Sequence, residues 1–508
     1  VYGQESGGVT RGAAGTSDTS DGKEGLAMQL RRRSSGVGPQ PARTLDAKAL
    51  TPARILALAV AGISPAGAVF TTYGPGLTLS GTGVIWAFVL GSVIAVAMAL
   101  CFAEAGSVYP AAGGSFTIIH RALGPVFGGI ASVLFFVLNI FFIAFVCVAM
   151  AGFISSLVAG GVPIKLTALG LLVAVALLTL GRVAPASWVA SLMLILELAI
   201  ILTFTGFAFA HPTLHANPFT HPQLFAGPHT VLAFSVGALF AGAAPALLAL
   251  NGYDAPLYMV EETERRRAVP TAVLLAVGLA IVIQVTAVIA ATYALPPNPS
   301  SVQESSAPVS TIATAVMGHT GSTVLTYGVI IAIFDSTLVG FIVVCRLVFD
   351  AARRSLWPGR AANRLLAYIG PTQVPVGACL VFFVGAGALA LFSNITTLIT
   401  FTTVILVVIY GLVAIAAIVT RLRTRKAPAG TFRMPLWPVP PIVAIGGAIL
   451  VLKYQTWRDL LIAGCIVAVA AAYHLWRHMS HQPQLDSAIA GAAQVGLVRA
   501  DEVTPPGE

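Results

Sequence analysis

The chain has 508 residues, of which 57% are hydrophobic and only 9% charged, and its mean hydropathy is +0.89. A soluble chain of this length carries about 25% charged residues, so too few polar groups are present to coat a water-facing body. That excludes an ordinary soluble enzyme, a nucleic-acid-binding protein and a disordered chain, and leaves a polytopic membrane protein. Apolar runs of about 20 residues without alternation argue for helices rather than a β-barrel.

The first 48 residues are polar and Gly/Ser-rich with Arg31, Arg32 and Arg33, and read as a disordered cytoplasmic tail rather than a cleaved signal. Twelve apolar segments follow, at 50–78, 83–108, 126–157, 164–181, 184–210, 240–262, 269–294, 322–351, 373–393, 396–420, 435–454 and 457–477. Residues 479–508 form a C-terminal tail. The expected fold is all-α with twelve transmembrane helices. If the N-terminus is inside and the spans alternate, all but three of the 28 Lys and Arg residues fall on the cytoplasmic side, the exceptions being Lys165, Lys453 and Arg458. A single missed span would scramble that bias, so both termini are expected in the cytoplasm of a cell-membrane protein. The five cysteines lie in apolar runs and imply no disulfide framework. The segment 211–229 carries His211, His215, His221 and His229 at spacings that fit no usual ligand pattern, and reads as a plain outside loop.

Two spans look interrupted. Span 1 contains GISPAGAVFTTYGPG and span 6 contains GAAPALLALNGYDAP. Proline removes a backbone donor and glycine permits non-helical backbone. Breaks at matching positions, five spans apart, point to an inverted-repeat transporter with its site at the midplane. Free amides at such a break suit a carboxylate, and free carbonyls suit an amine or cation. Four acids sit within spans: Glu104, Glu197, Asp254 and Asp335. Intramembrane acids mark a pathway, a relay or a pair. Glu261 and Glu262, beside Arg265–Arg267, read as interfacial ion pairs.

Four stretches carry a family resemblance: FAEAGSVYPAAGGSFTIIHRALGPVFGG at span 2, NGYDAPLYMVEETERRRAVPTAVL at span 6, CRLVFDAARRSLWP closing span 8, and FRMPLWPVPP before span 11. In order and spacing they are similar to the motifs of amino acid–polyamine–organocation superfamily permeases, over about residues 50–478. The resemblance implies five-plus-five inverted helices with two extra C-terminal helices, alternating access and frequent proton coupling. It places the substrate carboxylate at Ser64, Ala66, Gly67 and Ala68, where the family usually has Gly-Ser-Gly. It places the substrate amine at Leu250, Asn251, Gly252, Tyr253 and Asp254. Leu247 and Leu248 stand where an aromatic gate is common, and Glu104 takes a packing or gating role. Glu197 stands near a span-5 lysine found in some relatives, so Glu197, Asp254 and Asp335 are the candidates for coupling. Protons are favoured over sodium, for which the hydroxyls of Ser336 and Thr337 alone are a thin ligand set.

The function expected is import or exchange of amino acids. An amine or polyamine importer is the alternative, because the span-1 pattern from Pro65 to Gly74 also resembles putrescine importers; a non-transporting membrane sensor is more remote. No cofactor is expected, no nucleic-acid partner and no enzymatic motif.

Overall fold

The computed structural model describes residues 52–109, 114–181, 187–214, 217–227, 230–262, 267–353, 357, 359–370, 374–424 and 431–494. The expected N-terminal tail lies outside these residues, as do His215, His229, Arg265 and Arg266. Among the described residues seven helical stretches are long and apolar enough to cross a membrane, and four shorter apolar helices accompany them. Such sequences become helices because each backbone N–H and C=O must find its partner within the segment when no water is at hand. Large apolar side chains such as Leu166, Leu177, Ile195 and Val282 point outward, as a bundle dissolved in lipid requires.

Span 1 is divided into α1 (Pro52–Ile63) and α2 (Pro65–Ser80) by Ser64. Ser64 sits at φ 48, ψ 69, a left-handed conformation that costs a non-glycine residue about 1–3 kcal/mol. The second glycine-rich piece does not break the helix as its composition led us to expect. Pro75 stays inside α2, while Gly74 and Gly76 let Pro308 and Val84 approach the backbone closely. Then come α3 (Val84–Val108), a short α4 (Gly114–Leu123), α5 (Pro125–Leu157), α6 (Ile164–Leu180) and α7 (Ser187–Ala210).

The segment after α7 is not a plain loop, and the fold is not purely helical. Gln223–Gly227 (β1) and Thr230–Ala233 (β2) form an antiparallel hairpin in which Leu224 pairs with Leu232 and Phe225 with Val231. These β-favouring side chains lie beside a turn at Gly81–Gly83. There Thr82 Oγ1 accepts from the Gln223 amide at 2.9 Å. Gly81, at φ 56, leaves no room for a β-carbon against the Gln223 carbonyl.

Span 6 is α8 (Val236–Ala249), a non-helical stretch at 250–254, and a 3₁₀ helix at Ala255–Glu262. Pro245, like Pro75, sits inside its helix. The remaining elements are α9 (Ala268–Tyr293), α10 (Pro299–Glu304), α11 (Pro308–Arg353), α12 (Arg360–Leu366), α13 (Val376–Phe392), α14 (Ile395–Arg423), α15 (Val439–Lys453) and α16 (Trp457–Gln494). The α11 stretch is two helices that meet at a non-helical Gly318, φ 72, and the piece after that glycine coincides with the expected span 8 at 322–351. The last helix runs past the expected start of the C-terminal tail. The broken pair forms the centre: α2 packs on α8 and α7, α1 packs on α9 and the 3₁₀ helix, and α3 covers α8 and α9.

Gly81→Ala is expected to lower Tm in detergent, costing about 1–3 kcal/mol from the strained φ and the blocked strand contact. Gly170→Ala, at an open helical position, serves as the control and leaves Tm unchanged. Equal Tm values for both variants would count against the packed hairpin.

Candidate functional site

The two breaks meet. Gly252, at φ 110, lies so close to Gly62 that an added β-carbon would come within 2.6 Å of the Gly62 carbonyl oxygen. Backbone from the end of α1 thus touches backbone of the unwound stretch, which only glycine on the span-6 side allows.

At the first break the Ser64 amide donates to the carbonyls of Val60 and Ala61, and the Ser64 carbonyl accepts from the Ala68 amide at 2.8 Å. Ala68 is therefore already spent as a donor. Pro65 has no N–H, so the first-turn amides of Ala66 and Gly67 are the ones left ahead of the α2 ladder. The carbonyls of Gly67 and Ala68 accept from the Thr71 and Thr72 hydroxyls at 2.7 Å. Gly67 also makes room for Ser64 Oγ, which a β-carbon would meet at 2.7 Å.

That Ser64 hydroxyl donates to Glu197 Oε1 on α7 at 2.8 Å. Ser336 on α11 completes the cluster. Its Oγ stands 3.1 Å from Ser64 Oγ, 3.4 Å from Glu197 Oε1 and 2.9 Å from the Ala332 carbonyl. One hydroxyl proton cannot serve three acceptors, so Glu197 holds one firm donor and a share of a second. Its other oxygen, Oε2, is buried without a hydrogen-bond partner among the described residues, and the residue is 3% exposed. Neighbouring Asp335 is half-buried and makes no hydrogen bond or ion pair among the described residues. Thr337 bonds back to the Ile333 carbonyl. The structure thus joins Glu197 and Ser336 to the break, and leaves Asp335 and Thr337 out of the cluster.

At the second break Asn251 Oδ1 accepts from Tyr410 Oη of α14 at 2.8 Å, and Gln284 Nε2 of α9 donates to the Ala249 carbonyl at 3.0 Å. Leu250 is fully buried. Tyr253 packs edge-on to Phe102 with centroids 6.0 Å apart and lies 6.4 Å from the Tyr410 ring, its own hydroxyl buried without a partner. Leu248 belongs to the main core, whereas Leu247 turns to a separate cluster with Ile94 and Val451. Asp254 has partners of its own, none shared with Glu197. Its Oδ2 accepts from Ser115 Oγ of α4 at 3.0 Å and from Tyr258 Oη at 3.3 Å.

Glu104 belongs to neither cluster. Its carboxylate receives Arg421 Nη1 at 2.7 and 2.8 Å and the Met434 amide at 2.9 Å, and the guanidinium lies over the Trp437 ring at 5.3 Å. It ties the ends of α3 and α14 to the segment that carries FRMPLWP.

Sequence reasoning missed Tyr410, Gln284, Ser115 and Tyr258 as partners, and Arg421 as the counter-charge to Glu104. For Tyr410 and Gln284 the signal was a lone polar side chain in an apolar run. For Ser115 and Tyr258 no such signal exists, because short polar residues near span ends are common.

Glu104→Ala should cost about 3–5 kcal/mol, since it strands a partly buried guanidinium. Pairing it with Arg421→Met should restore much of the lost Tm. A double variant no better than the single one would show that the ion pair is not what holds these ends.

A comparison with protein families matches residues 50–471 to the family described as amino acid permease. A comparison with curated proteins found no match.

Proposed function

Because the chain belongs to the amino acid permease family, a family of membrane transporters and not of enzymes, we propose that it moves amino acids across the cell membrane by alternating access, with proton coupling through Glu197. The observation that carries this reading is the meeting of the two breaks. They set the end of α1 at Gly62 and Ile63 against Gly252 of the unwound stretch, with the first-turn amides of Ala66 and Gly67 following the first break and Glu197 hydrogen-bonded to the residue that makes it. A carboxylate docks on the amides and an ammonium on the carbonyls of the unwound stretch.

We infer twelve crossings, taking two from the stretch Ile55–Val108, one from each of the six other long stretches and one from each of the four shorter apolar helices. We infer five-plus-five inverted repeats, with α15 and α16 as the extra pair and both termini in the cytoplasm, from the facing breaks and the distribution of basic residues.

Coupling follows from what Glu197 touches. It bridges α7, the α1–α2 break and α11. A proton on its carboxyl supplies a donor and removes a charge, which alters its bonds to both Ser64 and Ser336. Loading or losing that proton therefore changes how these three elements hold one another. Asp254 ties the unwound stretch to α4 and Tyr258, a contact suited to closing the cytoplasmic side.

One observation favours an amine substrate instead. Glu197 has an unpartnered oxygen beside the break, which a cationic group without a carboxylate would satisfy.

Uptake into proteoliposomes separates these readings. Neutral amino acids should compete for transport and putrescine should not; the reverse result makes the chain an amine importer. Wild-type uptake should change with pH, whereas Glu197→Gln should give a flat profile. A Glu197→Gln profile that keeps the wild-type slope would rule this residue out as the coupling group. Asp254→Asn should raise leak of substrate while the slope persists.

A further inference from the structure

A second cavity lies on the predicted outer side of the bundle, apart from the two breaks. Its volume is about 460 Å³, several times that of a small amino acid. The outer half of α2, the last third of α5, the start of α6, residues 303–308 and the α13–α14 junction line it. Phe70 forms part of its wall. That ring is buried between Phe153 and Phe204, at centroid distances of 6.3 and 5.4 Å. Phe70 stands one helical turn beyond Ala66, on the side of α2 that leads from the first break toward this cavity.

Lys165 is the one charged residue among the described residues that line the cavity. It is exposed and makes no ion pair among the described residues. It is one of only three basic residues expected on the outer side. Asn394 also lines it, with Oδ1 already accepting from the Thr397 amide at 2.8 Å, so its Nδ2 remains as a donor. No Asp or Glu lines the cavity among the described residues. Glu304, an exposed residue, sits in sequence between the lining residues Gln303 and Ser305 but is not itself part of the lining. A cavity with an ammonium, an amide donor and no carboxylate attracts an anionic group. The apolar remainder, from Val148 and Phe153, suits a short aliphatic body.

We propose that this cavity is an outer holding site for the carboxylate of an amino acid, with Lys165 as its charged contact and Phe70 as the barrier to the central site. The proposal rests on the transport reading for what happens after capture, but not for the capture itself. An amine lacking the carboxylate gains nothing from Lys165 and is repelled by its charge. The site therefore selects amino acids over amines before the substrate reaches Glu197.

The test uses the full chain in proteoliposomes, with Cys465→Ser removing the exposed thiol and Thr78→Cys placing one on the cavity wall. Labelling of that thiol by a membrane-impermeant maleimide is followed with a mixture of the standard amino acids other than cysteine, or with ethylamine and putrescine, all at pH 7 where amines do not consume the reagent. Amino acids should slow labelling about fivefold, the scale of one exposed ion pair, and the amines should leave it unchanged. Lys165→Ala should abolish the protection and Lys165→Arg should keep it. Protection that survives Lys165→Ala, protection by the amines as strong as by amino acids, or no protection by either would overturn the proposal. Uptake of the same radiolabelled mixture is read in parallel. Protection without uptake leaves the cavity a carboxylate site and refutes the transport reading instead; uptake with Lys165-independent protection does the opposite.

Discussion

The rest of this structure depends on the demand that backbone polar groups be satisfied where water is absent. Continuous helices meet that demand, and most of the chain is built of them. Two places do not. At Ser64 and at 250–254 the ladder stops. Thr71 and Thr72 of the same span bond back to the Gly67 and Ala68 carbonyls, while from other spans Gln284 takes the Ala249 carbonyl and Tyr410 holds the Asn251 side chain. What remains free is small and localised, which is the condition for a selective polar site inside an apolar bundle. Prolines alone do not create it. Pro75 and Pro245 lie within intact helices, because a missing donor costs one bond while a left-handed residue redirects the chain.

The intramembrane acids form a graded series. Glu104 is fully engaged, with a two-point ion pair to Arg421 and a backbone donor, and its work is to hold span ends together. Asp254 is engaged by two hydroxyls on one oxygen. Of these three buried acids Glu197 is the least satisfied, with one firm donor and a second oxygen that has no partner among the described residues. A carboxylate that the fold satisfies completely has little reason to change state. One that the fold leaves short can respond to a proton or a cation, and this one sits where α7, α11 and the α1–α2 break meet. The same logic of sign applies at the outer cavity, where Lys165 has no acid to neutralise it.

Much of this was legible in residue order. Hydropathy located the spans because burial in lipid demands length and apolarity, which are local properties. The break at span 6 was readable from Asn251 and Gly252. The break at span 1 was readable only as a region, since Gly62, Pro65 and the Gly74–Gly76 run all offered weak points and packing against Pro308 and Val84 kept the last of them helical. The hairpin at 223–233 was hidden within a segment whose His and Pro content resembled a loop; its strands exist because Gly81 lets them come close.

By itself, then, the sequence determined the class of molecule, the order of its spans, the residues rich enough in charge to matter, and the family motifs. Those depend on composition and on neighbours along the chain. Tertiary structure decided which acid meets which partner. Glu104 and Arg421 are 317 residues apart, Glu197 and Ser64 are 133 apart, and no local pattern encodes such pairings. Folding also gave the contact with Glu197 to Ser336 and, among the described residues, no hydrogen bond to Asp335, one residue away, because a step of about 100° around a helix turns neighbouring side chains to different sides.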